Sequence, residues 1–216
     1  MRFRSFALAL ITLVSPAAAE DDFGLLHITN ANLELTARTT LQLHTRVRTY
    51  HDSRNFYQFR AGPILIHQFT PRIGGLAGYY NMHQDDPSAP ANTRIHRYWA
   101  GPQFRLLDTR HWAVDTRHLA ERFVVAGKND YTRVRNRAML IYKNGAVQPF
   151  ASFEALAQQG HWYERHAVGV QFRTKSQIIY GISYEYRASP TGPGIHLIAT
   201  SIQFRAWRNG DLPHID

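Results

Sequence analysis

The chain contains no cysteine. That absence removes disulfide frameworks, thiolate zinc sites and cysteine nucleophiles together. Lysine is scarce as well: only Lys128, Lys143 and Lys175 occur, so the 25 basic residues, set against 16 acidic ones, are nearly all arginine. A rigid, bidentate guanidinium suits packed carboxylate networks better than a flexible ammonium does. The cations are dealt out along the chain rather than gathered in blocks or on a helix face, so no nucleic-acid partner is expected. No amphipathic helix is evident, and no run, at the start or later, reaches the roughly 18 apolar residues of a spanning helix.

The one apolar stretch near that kind lies at the start. Arg2 and Arg4 form a basic beginning, Phe6 to Val14 an apolar segment, and Ser15-Pro16-Ala17-Ala18-Ala19 a small-residue cleavage region, so residues 1–19 are expected to be a secretory signal. Residues 20–216 are then expected to form a single exported domain. Removing Arg2 and Arg4 leaves 23 cations against 16 acids, a net charge of about +7 with histidine neutral. Without disulfides, its stability has to come from sheet closure and packing.

What fills the rest is alternation. In Tyr131 to Tyr142, Arg133, Arg135 and Arg137 share one parity, while Thr132, Val134, Ala138, Leu140 and Tyr142 share the other. Successive strand side chains point to opposite faces, so guanidinium groups collect on one face and apolar groups on the other. The pattern predicts eleven strand segments: 25–35, 39–50, 56–67, 76–82, 93–106, 112–124, 131–142, 147–157, 162–173, 177–187 and 195–207. Most reach the roughly 9 to 11 residues that a tilted strand needs to cross a bilayer. Short connections (Thr36-Ala37-Arg38, Asp108-Thr109-Arg110, Lys143-Asn144-Gly145) alternate with longer ones such as His83 to Asn92. Outer-membrane barrels place short turns at the periplasmic end and longer loops outside. An even strand count is the bacterial habit, so the first segment is expected either to have an unrecognised partner or to lie outside the closed ladder. Pro63, Pro102 and Pro149 fall inside strands and predict local interruptions.

The polar face carries Arg46 and Arg48, then Arg60, Arg97 and Arg105, then Arg133, Arg135 and Arg137. Later strands add Arg165, Arg173, Arg187 and Arg205. Asp115, Glu121, Glu154 and Glu185 are the expected counter-charges. The opposite face carries Leu41, Leu43, Val47, Leu65, Val134, Leu140, Ile178 and Ile182. Ten or more strands enclose a space too wide for a small apolar core, which favours polar residues inside and apolar ones toward lipid. Tyr50, Tyr57, Tyr79, Tyr80, Tyr131, Tyr142, Trp162 and Trp207 lie near segment ends and suit interfacial girdles.

Several ordered stretches carry a family resemblance: Leu41 to Arg48, Tyr57 to Pro63, His96-Arg97-Tyr98-Trp99, Asp115 to Phe123, Arg133 to Arg137, and Tyr184-Glu185-Tyr186-Arg187. In this order they resemble the bacterial family catalogued as domain of unknown function 2490, over about Phe23 to Phe204. The resemblance implies an outer-membrane β-barrel and brings no catalytic residues. Such barrels often finish on a terminal aromatic, whereas here nine residues follow Trp207.

The expected fold is therefore all-β: an antiparallel transmembrane barrel of about 10–12 strands in a Gram-negative outer membrane. The leading functional expectation is non-enzymatic, either a narrow or plugged anion-favouring pore or a structural or binding barrel. Its partners would be outer-membrane lipid and a small anionic solute, with no cofactor or metal. Two alternatives stand beside it. An outer-membrane lipid hydrolase or acyltransferase would draw on His51, Asp52 and Ser53, although adjacent residues rarely converge on one reacting centre. A soluble periplasmic ligand-binding barrel would use the same faces turned inside out. His161, Glu164 and His166 invite a metal, but they do not share one strand face.

Overall fold

The computed structural model describes residues 22–50, 52–85, 93–143, 145–176, 178–188 and 194–206. Eleven strands follow one another: β1 (Asp22–Thr36), β2 (Thr39–Tyr50), β3 (Asn55–Gln68), β4 (Ile73–Gln84), β5 (Thr93–Asp108) and β6 (Trp112–Val125), then β7 (Tyr131–Tyr142), β8 (Val147–Gln158), β9 (His161–Arg173), β10 (Ile179–Ala188) and β11 (Ile195–Ala206). Each corresponds to a segment read from alternation. Neighbours in sequence pair antiparallel from β1 to β11, and β1 closes the ring against β11.

That closure corrects the expectation of an even count. β1 stands inside the ladder, antiparallel to β2 and parallel to β11, with Leu26 opposite Ala199 and Thr29 opposite Ile202. An odd number of up-and-down strands leaves the first and last pointing the same way, so the seam is parallel. The seam is packed as well as paired, because Leu26, Leu197 and Ala199 form a buried cluster beside it. The strands β2 to β11 alone make a ten-stranded meander with both ends on one side of the barrel. Short connections such as 37–38 and 109–111 lie on that side, and the β2–β3 turn at 52–54 lies on the other.

The repeated Ala-Gly-Pro has a backbone reason. Pairing between β3 and β4 runs from Ala61 opposite Asn81 to Ile64 opposite Gly78 and skips Gly62 and Pro63. Between β5 and β6 it likewise skips Gly101 and Pro102. Proline has no N–H to give the ladder at these points. Glycine lets the next strand come close: a Cβ on Gly62 would lie 2.0 Å from the Tyr79 carbonyl oxygen, and one on Gly101 1.8 Å from that of His118. Pro149 lies just beyond the last β7–β8 pair, Ile141 with Phe150, so it interrupts nothing there.

Side-chain alternation sorts the two surfaces. Leu43, Leu65, Tyr98, Val134, Trp162 and Ile182 point outward and are between 45% and 64% exposed. The buried parity is not uniformly polar, which the sequence reading did not anticipate. Ile64, Leu76, Tyr80, Met82, Ile95, Trp99, Leu119, Phe123 and Val125 pack together inside the ring. Tyr80 and Tyr131 are corrected by the same parity: adjacent Tyr79 and Tyr80 cannot both face outward, and Tyr131 packs against the inner cluster, stacked 4.4 Å from Phe123.

Candidate functional site

The inner arginines fall into two groups according to whether a carboxylate reaches them. Glu121, at 0% side-chain exposure, binds Arg97 and Arg133, the latter at 2.6 Å, with Arg135 Nη1 3.8 Å away. Glu154 binds Arg135 through one oxygen and Arg165, at 3.2 Å, through the other. Glu185 accepts from Arg187 Nε at 2.5 Å, and Asp115 takes a two-pronged contact from Arg105 at 2.8 and 3.0 Å. All four expected counter-charges are thus engaged. Near the end of β11, Arg205 lies 3.9 Å from Glu34.

The second group has no such partner. Among the described residues no carboxylate lies within 4.0 Å of Arg46, Arg48, Arg117 or Arg137, and the Nε atoms of Arg46, Arg48 and Arg117 are buried without a hydrogen-bond acceptor. Register makes this sharper, because three arginine pairs face each other directly across neighbouring strands: Arg46 with Arg60, Arg117 with Arg137, and Arg165 with Arg187. Like charges so placed repel unless something negative lies between them. Arg117 was absent from the sequence-predicted set. Its parity with Asp115 and Glu121 was the available signal.

Aromatic faces supply part of the missing negative potential. Arg60 and Arg97 lie over the Tyr80 ring at 4.8 and 5.3 Å, Arg133 over Phe123 at 4.7 Å, and Arg48 over Tyr57 at 4.4 Å. A guanidinium on a ring face gains roughly 0.5 to 2 kcal/mol, most where water is excluded. His44 completes the arrangement: its Nδ1–H donates to Asn30 Oδ1 at 2.8 Å, and its Nε2 accepts from Arg60 Nε at 3.1 Å. The apolar cluster and the arginine network are therefore one packed interior joined through Tyr80 and Phe123.

The other candidates do not assemble. Asp52 and Ser53 occupy the β2–β3 turn with positive φ angles of 52° and 67°, where Asp52 N donates to Asp22 Oδ1 and Ser53 N to the Phe23 carbonyl. They act as turn formers there, and His51 lies outside the described residues. His166 and Glu164 approach to 3.4 Å on the outward parity of β9, whereas His161 has the opposite parity. Trp207 also lies outside the described residues.

The family model described as "Protein of unknown function (DUF2490)" matches residues 23–195. Neither the curated proteins nor the solved structures contain a match to the chain.

Proposed function

We propose that this chain, which belongs to the DUF2490 family, is a non-enzymatic barrel of the bacterial outer membrane whose interior is closed by its own side chains, serving as a membrane-embedded binding or structural element. The observation that carries the reading is burial on the inner side of nine of the eleven strands, the other two, β7 and β9, contributing Arg135 and Arg165, whose side chains are 14% and 20% exposed. Leu26 on β1, Arg46 on β2, Arg60 on β3, Tyr80 on β4 and Arg97 on β5 are at most 8% exposed. Glu121 on β6, Glu154 on β8, Arg187 on β10 and Leu197 on β11 are too. A water-filled channel would leave its lining accessible. The outward band of Leu43, Leu65, Val134 and Ile182 supports lipid contact, since a soluble protein rarely exposes so continuous an apolar surface. Short turns on one side then face the periplasm.

A second reading, a narrow anion-favouring pore, draws on the arginines that lack carboxylates, since an uncompensated positive field concentrates anions. Planar-bilayer recording separates the two. The closed barrel predicts electrical silence after reconstitution at verified density. Anion-selective current that falls in Arg46→Ala, which removes an arginine that no described carboxylate reaches within 4.0 Å, would instead establish the pore. Recovery of the folded protein in the outer-membrane fraction tests its location, and detergent-free solubility after signal removal would reject both readings.

A further inference from the structure

We propose that the short-turn mouth of the barrel holds a binding site for a phosphate group, built on the facing pair Arg117 and Arg137. The site deepens the closed-barrel reading and rests on it for biological setting, but binding itself does not depend on where the barrel resides. A cavity of about 210 Å³ opens between the β3–β4 turn and the inner faces of β5, β6 and β7, lined by Arg72, Arg105, Arg117 and Arg137 together with Gln68 and Gln103. Among the described residues Asp115 is the only acid in that lining. Four arginines less one aspartate leave a charge of +3, and the aspartate is already held by Arg105 at 2.8 and 3.0 Å.

Arg117 and Arg137 are neighbours across β6 and β7. Glu154 stands opposite Arg137 across β7 and β8, but its two oxygens go to Arg135 and Arg165. The buried Arg117 Nε has no acceptor among the described residues. A buried donor left unmade is costly, more so on a charged group. An oxyanion between the two forks would supply both the missing acceptor and the missing charge, and phosphate offers guanidinium groups the paired oxygens they bind best. Gln68 and Gln103 present side-chain amides to the same space, packed so closely over Gly74 that a Cβ there would lie 2.8 Å from Gln103 Nε2 and from Gln68 Oε1. One water needs roughly 10 to 15 Å³ of such space, so the cavity also admits part of the molecule that bears the phosphate.

The test is calorimetric titration of the folded, full barrel in detergent micelles with inorganic phosphate and, separately, glucose 6-phosphate, at fixed chloride. Saturable binding of either ligand is expected, and the tighter of the two identifies free phosphate or a phosphorylated solute as the ligand. R117Q and R137Q should each weaken it on the order of 10- to 100-fold. R122Q, on the outer face, should leave it unchanged. Heat-modifiable gel mobility confirms that each variant is folded. Should R117Q or R137Q not assemble, R72Q on the exposed turn reads the same site, with a smaller loss expected. Absence of saturable binding by the unmodified barrel, or binding indifferent to R117Q, R137Q and R72Q, overturns the site. Neither result bears on bilayer silence, so failure of the site and failure of the closed-barrel reading are separable.

Discussion

Replacing Glu121 by glutamine changes little in shape and much in charge. Glu121 sits at 0% side-chain exposure, between Arg97 at 2% and Arg133 at 13%. Glutamine keeps the volume and one carbonyl oxygen, but it leaves Arg97 as a buried cation beside Tyr80 and Phe123, with two aromatic faces and no carboxylate. Removing one partner of a buried pair costs about 3–5 kcal/mol, because the survivor stays desolvated and uncompensated. The reference is Asp130→Asn, which breaks the pair between Arg122, 66% exposed, and Asp130, 39% exposed. Pairs of that kind contribute about 0–1 kcal/mol. Urea unfolding of the barrel in phospholipid vesicles, followed by tryptophan fluorescence, measures both. If the slope is about 2 kcal/mol per molar, Glu121→Gln lowers the midpoint by about 1.5–2.5 M while Asp130→Asn barely moves it. A double replacement, Glu121→Leu with Arg97→Met, recovers part of the loss, since an apolar pair of similar volume suits the surrounding cluster while Arg133, 13% exposed, still loses its carboxylate. Equal shifts for Glu121→Gln and Asp130→Asn would refute the idea that the interior depends on charge compensation.

Two further outcomes test orientation and closure. Val134→Lys places a cation on the outward face at a residue 50% exposed; in a bilayer it should cost up to about 2–4 kcal/mol near the midplane, read as a lower urea midpoint in vesicles, whereas no effect would point to a water-facing surface. Because the chain has no cysteine, Thr29→Cys with Ile202→Cys reports directly on the β1–β11 seam, where the two residues are partners. The oxidised protein should migrate as a crosslinked species. A crosslink that forms instead between Thr45→Cys and Ile202→Cys would mean that β2 closes the ring and β1 stands outside it.

The orientation of the barrel faces was legible because parity is local. From Arg133, Arg135 and Arg137 against Val134 and Leu140, two faces follow from strand geometry alone, whatever those strands pair with. The same reasoning marked the Gly-Pro interruptions of β3 and β5, since proline's missing N–H belongs to the residue itself. Ile64, Leu76, Trp99 and Phe123 were harder to read. Each shares the parity of polar neighbours on its own strand, and only the curvature of β3 to β6 brings them into one cluster.

By itself, then, the amino-acid order determined where the strand segments lie, where they turn and which side chains share a face, for these depend on residues a few positions apart, while the number of strands in the ring stayed open between ten and twelve. Tertiary structure decided that β1 joins the ring in parallel, that Glu121 and Glu154 each hold more than one arginine, and that Arg117 faces Arg137 with no carboxylate among the described residues within 4.0 Å of either. Those outcomes depend on register between strands and on the closing of a circle. No single segment carries that information, because each strand meets its partners only when the whole sheet curls back on itself.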